Sequence, residues 1–245
     1  MIFSYARRPE AVKKISRRVQ IDKRDLKLSM LIQLIPLIII ILLSRSVSAA
    51  EANKGEALFT ANCASCHSTI RPVARPTIDE RLNEEGPNLW YAGSKYKEGF
   101  LSRWLQDPAP LRGMEYNSLL ATAEGTHMAL GGAEAVQIAA YLMELKSPDV
   151  IDIEIKAKTT ARGRFVFIKK LGCYGCHTIK KGSRVVGGLT GPTLLGASER
   201  LKTMWIYSYM KNPQTFTPRS PMPNYSHLLS EVKLKALAAY IAAQK

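Results

Sequence analysis

The residues of this chain best suited to chemistry are two short clusters, Cys63-Ala64-Ser65-Cys66-His67 and Cys173-Tyr174-Gly175-Cys176-His177. They contain all 4 cysteines of the 245-residue sequence, so no thiol is left over. Two thiols separated by two residues span one helical turn, and both can add to the vinyl groups along one edge of a porphyrin. The residue that follows then turns its imidazole toward the iron. This is the spacing of covalent haem attachment. Other chemistries share the paired cysteines. A redox dithiol expects a βαβ context and needs no adjacent histidine. A zinc site would pool ligands from both pairs, yet these lie far apart and each has its own histidine. A disulfide within either pair would be strained. Two occurrences of the full motif favour two covalently bound haem c groups.

The elements that must hold these clusters also come in pairs. Gly55 and Gly163 are each followed four residues later by phenylalanine, Phe59 and Phe167, and then by the cysteines. Beyond them lie Gly86-Pro87-Asn88-Leu89 and Gly191-Pro192-Thr193-Leu194. Apolar stretches run to Pro108 and Pro213, each 21 residues after the earlier proline. Amphipathic segments containing Ala-Ala-Tyr, at Tyr141 and Tyr240, close the copies. The same features in the same order are the mark of duplication. The reading is 51–147 as a first domain, 148–158 as a linker with a short strand at Val150–Ile155, and 159–245 as a second domain. Helical periodicity dominates and no hairpin is evident, so the expected fold class is all-α, two tandem domains.

Residues 1–50 read as an address. A basic segment precedes the 14-residue apolar run Met30–Leu43, and small residues follow, with Val47 and Ala49 suited to a cleavage site. The run is short against the roughly 20 residues of a membrane span, and Arg45 interrupts it. A cleaved secretory signal is preferred. An uncleaved anchor through residues 30–43, with its basic end in the cytoplasm, is the alternative. Both place residues 51–245 in the periplasm. The formal net charge of +15 is concentrated in this address: it holds 10 of 35 Lys/Arg and 3 of 20 Asp/Glu, which leaves +8 for the remainder. That remainder has no basic run interleaved with aromatics, which excludes nucleic acid as a partner. A modest positive charge suits docking to an acidic redox protein.

With these motifs in hand, residues 51–245 resemble the dihaem members of the class I cytochrome c family, with two tandem cytochrome c domains. The resemblance implies that the first and last helices of each unit cross at Gly55 against Tyr141 and at Gly163 against Tyr240. It implies that Pro87 and Pro192 pack beside the proximal histidines, His67 and His177. It also implies a methionine thioether on the far side of each iron. In the second domain Pro221-Met222-Pro223 matches the family's loop, so Met222 is the expected ligand. The first domain departs from the pattern. Met128 is preferred there on family position, Met114 is a second choice, and His127 is a third because imidazole binds iron well. Met143, Met204 and Met210 read as core fillers, and His227 as a loop residue. Trp90, Trp104 and Trp205 read as packing residues. Arg71, Arg75 and Arg81 are candidates for haem propionates, against the plainer reading of a solvated loop.

An iron with both axial positions filled by protein has no place for substrate, which suits single-electron transfer. The expected function is electron transfer between redox partners of a membrane-linked chain, a membrane oxidoreductase or oxidase among them. The alternative is a dihaem enzyme, a peroxidase or sulfur-compound oxidase, with an unusual distal ligand at the first haem. A third reading is a haem subunit of a membrane complex.

Overall fold

A computed structural model describes residues 52–72, 75–114 and 127–245. The address segment 1–50 and its cleavage or anchoring lie outside the described residues. Among those described, no helix is long and apolar enough to cross a membrane. They belong to one compact unit.

The first copy opens with α1 (52–62) and continues through α2 (Ile78–Leu82), α3 (Ala92–Lys95), α4 (Phe100–Gln106) and α5 (Gly132–Glu144). In α5 the buried residues Ala135, Ile138, Ala139 and Leu142 fall at i, i+3, i+4 and i+7, one face of a helix. That face receives α1 at Gly55, where a methyl group would run into the Gln137 carbonyl and the Tyr141 side chain. Phe59 and Tyr141 pack at 5.6 Å between ring centres.

The second copy repeats this with α6 (Ala161–Phe165), α7 (Ala197–Arg200), α8 (Thr203–Lys211), α9 (Pro213–Phe216) and α10 (Glu231–Ala242). Thr160 caps α6 by accepting from the Gly163 N–H. The crossing recurs, with Gly163 against the Ala236 carbonyl and Tyr240, and with Phe167 5.4 Å from the Tyr240 ring. Both glycine–tyrosine crossings that the resemblance implied are present.

The copies differ where the sequence shifts register. Phe59 precedes Cys63 by four residues, but Phe167 precedes Cys173 by six. A π-helical turn, Val166–Lys170, and Gly172 at φ 59° take up the extra length. The haem-motif turn is thereby kept alike in both copies. His67 N–H donates to the Cys63 carbonyl at 3.0 Å, and His177 N–H to that of Cys173 at 3.1 Å.

Two expectations are corrected. The second copy is not purely helical. It carries an antiparallel hairpin of β1 (Ile179–Lys181) and β2 (Arg184–Val186), in register Ile179↔Val186. Gly182 enables the tight turn by adopting φ 64°. Val150–Ile155 forms no strand. There Ile151 N–H donates to Ser208 Oγ at 2.9 Å, a side-chain bond in place of a strand partner.

The copies meet through matching residues. From Gly86/Gly191 to Pro108/Pro213 they align at a constant offset of 105. Tyr96 bridges antiparallel to Leu201, its own counterpart. Lys97 N–H donates to the Arg200 carbonyl and Lys202 N–H to the Lys95 carbonyl, both at 2.9 Å. Lys97 Nζ donates to the Ser198 carbonyl and Lys202 Nζ to the Gly93 carbonyl, both at 2.7 Å. Each bond has its twin under exchange of the copies, which defines a local pseudo-twofold axis. An aromatic cluster spans the interface: Tyr91 stacks on Trp205 at 4.6 Å, and Trp90 lies 6.2 Å from Phe216.

Candidate haem sites

Each site is built on the turn that ends the first helix of its copy. None of the four cysteines is in a disulfide. Burial pushes the Cys63 thiol up and raises that of Cys173 to about 11. Cys66 is raised chiefly by donating to the Glu85 carboxylate at 2.9 Å.

The histidines are fixed by matching contacts to the two Gly-Pro turns. His67 Nδ1 lies 2.9 Å from the Pro87 carbonyl oxygen, and His177 Nδ1 lies 2.6 Å from that of Pro192. A carbonyl only accepts, so each Nδ1 carries the proton and each Nε2 keeps its lone pair for a metal. Burial holds both imidazoles below the ordinary histidine range, keeping them neutral. The preceding glycines are required by closeness. A Cβ on Gly86 would stand 2.5 Å from His67 Cε1, and one on Gly191 would stand 2.7 Å from His177 Cε1.

Two buried donors lack an acceptor. The indole N–H of Trp90 is buried with no hydrogen-bond partner among the described residues, and the Arg71 guanidinium sits 5.1 Å over its ring. Arg200 is only 4% exposed, and its Nε is likewise unsatisfied. It donates to the Thr193 carbonyl, and its charge acts on His177. A buried guanidinium is costly without a counter-charge. Haem carries two propionate carboxylates, the acceptor class both groups lack. Paired thiols and neutral imidazoles with free Nε2 atoms therefore fit haem c at both sites, and the buried Arg200 guanidinium near His177 adds a donor suited to a propionate at the second.

The remaining sequence candidates fall as follows. Met222 is half-buried against the core; its N–H donates to Ser220 Oγ, and its carbonyl accepts from Gln214 Nε2 at 3.0 Å. Met128 is 53% exposed. The His127 ring stands 6.2 Å from that of His67. Met210 is buried, Met204 half-buried, and His227 exposed. Trp90 and Trp205 are buried in the interface cluster. Arg71 pairs with Asp149 at 2.9 Å and Arg81 with Glu84 at 3.0 Å, while Arg75 is exposed. Arg200 escaped the sequence reading: its burial arises only when α7 docks at the interface, and its counterpart Lys95 gives no hint of it.

The family model for cytochrome c matches the chain twice, over residues 52–146 and 160–245. No curated protein and no solved structure matches it. Cytochrome c domains bind haem covalently and transfer electrons through it. With two helix-rich copies of the fold and two matches to its model, this chain belongs to the cytochrome c family, as two tandem cytochrome c domains.

Proposed function

We propose that this protein is a periplasmic dihaem electron carrier, passing single electrons between redox partners of a membrane-linked chain. The observation that carries the reading is the duplicated site. Two C-x-x-C-H turns each place a neutral imidazole with its Nε2 free. Cys63 and Cys66 would bind one haem, Cys173 and Cys176 the other, with His67 and His177 as proximal ligands. Haem iron supplies a one-electron change of oxidation state that needs little rearrangement when both axial positions are filled. With haem bound, His67 and His177 would each fill one axial position through Nε2, and the iron would supply the one-electron step. Met222 is the distal ligand assigned to the second haem on its place in the loop.

The pseudo-twofold interface supports relay within the chain, since it fixes the two sites in one body. The net charge of +8 beyond residue 50 supports an acidic docking partner such as a membrane oxidoreductase or oxidase. The apolar run at residues 30–43 supports export, with cleavage preferred over anchoring.

Denaturing electrophoresis with a haem-peroxidase stain tests the core of this reading, together with the intact mass of the purified, matured protein. The expected result is a stained band with the mass of two haems added. An unstained band ends the proposal. The same mass tests the address: retention of residues 1–49 would show an anchor.

A further inference from the structure

The two sites are not equivalent on their distal sides. In the first copy the His127 ring stands opposite the proximal histidine, with 6.2 Å between ring centres and planes 37° apart. A first-row metal–imidazole bond is about 2.0–2.1 Å. With about 1.1 Å more from nitrogen to ring centre, two trans imidazoles sharing one metal stand about 6.3 Å apart. The observed separation meets that requirement.

The orientation of each ring is fixed in the same manner. His127 Nδ1 lies 3.0 Å from the Met128 carbonyl oxygen. Because the carbonyl accepts, Nδ1 holds the proton and Nε2 is the metal-binding atom, as in His67. Trp104 packs against the His127 ring at 4.7 Å, and its own indole N–H is tied to the Ala109 carbonyl at 2.8 Å. The neighbouring Met128 side chain is instead largely exposed. The second copy has no such histidine: Tyr209 replaces Trp104 at the matching position, and the exposed His227 is the only histidine after His177.

We propose that the first haem is held between two imidazoles, with His127 in place of a methionine as the ligand trans to His67. This rests on the two-haem reading above. Its consequence is asymmetry. A thioether favours ferrous iron, and a second imidazole does not. The first haem therefore has the lower potential, and electrons run from the first domain to the second.

The test uses the full matured protein in the ferric state. Haem per chain is measured first. The far-red thioether-to-iron charge-transfer band and low-temperature electron paramagnetic resonance follow. The expected result is two haems per chain, one giving a bis-imidazole signature and one the thioether band. Met222→Leu should abolish that band entirely. His127→Ala should remove the bis-imidazole signature and open that haem to added cyanide, while Met128→Leu leaves both spectra unchanged. Two haems with a thioether band that survives Met222→Leu would overturn the assignment, as would a high-spin haem in the unaltered protein. Fewer than two haems per chain would overturn the two-haem reading itself, so the haem count separates the two failures. Should His127→Ala fail to fold, the spectra of the unaltered protein and of Met222→Leu still decide.

Discussion

At the scale of single residues, the sites depend on groups that settle which atom of each histidine is free. Carbonyl oxygens of Pro87 and Pro192 accept hydrogen bonds from the Nδ1–H groups and leave Nε2 for metal. The cysteines can be tested one site at a time. Replacing Cys173 and Cys176 with alanine should remove one haem from the intact mass and leave the other on Cys63 and Cys66. Loss of both haems would contradict independent attachment. Arg200 is a second target. Its buried charge lies near His177 and disfavours ferric iron there. Arg200→Gln should lower the second haem's potential by roughly 1 kcal/mol, or about 40 mV for one electron. Potentiometric titration reads this directly, and an unmoved potential would remove Arg200 from the site.

At the scale of elements, helix crossings set where the haem turns point. Gly55 and Gly163 let α1 and α6 approach α5 and α10 until backbone meets backbone. Gly163→Ala should cost about 1–3 kcal/mol by overpacking, and lower the melting temperature about 2–4 °C per kcal/mol for a chain this size. A melting point equal to the unaltered protein's would show that the crossing tolerates a methyl group. A second bond ties α8 to the start of α10: the Tyr207 hydroxyl donates to the Glu231 carboxylate. That bond holds Glu231 below the ordinary glutamate range. A depressed carboxylate stabilises the fold above its unfolded value, near pH 4.3, and loses this contribution as pH falls through the folded value. Glu231→Gln should therefore flatten the acid limb of a melting-temperature profile. An unaltered limb would show that the bond has no weight.

At the scale of the whole molecule, the pseudo-twofold interface makes one body of two domains. Its centre is the Tyr96–Leu201 bridge with its paired lysine bonds, and its apolar mass is the cluster of Trp90, Tyr91, Trp205 and Phe216. Trp205→Ala removes the ring that stacks on Tyr91, at a cost of about 3–5 kcal/mol. Calorimetry should then resolve two unfolding transitions where the unaltered protein shows one. A single transition in the variant would mean that other contacts couple the domains.

Much of this was legible in the sequence because the chemistry is local. A thiol pair and its histidine sit within five residues, so the turn carrying them is dictated by spacing alone. The duplication, the crossing glycines and the Gly-Pro turns are likewise written in order and offset. The hairpin at 179–186 was signalled only by Gly182-Ser183 between basic and β-branched residues, which helical periodicity elsewhere outweighed. The approach of His127 to His67, the burial of Arg200 and the pseudo-twofold axis were decided by tertiary structure. Each brings together residues far apart in the chain: His67 with His127, Arg200 with Lys97, Tyr96 with Leu201. No local pattern encodes which distant surfaces meet, because that choice is made by the summed packing of both copies.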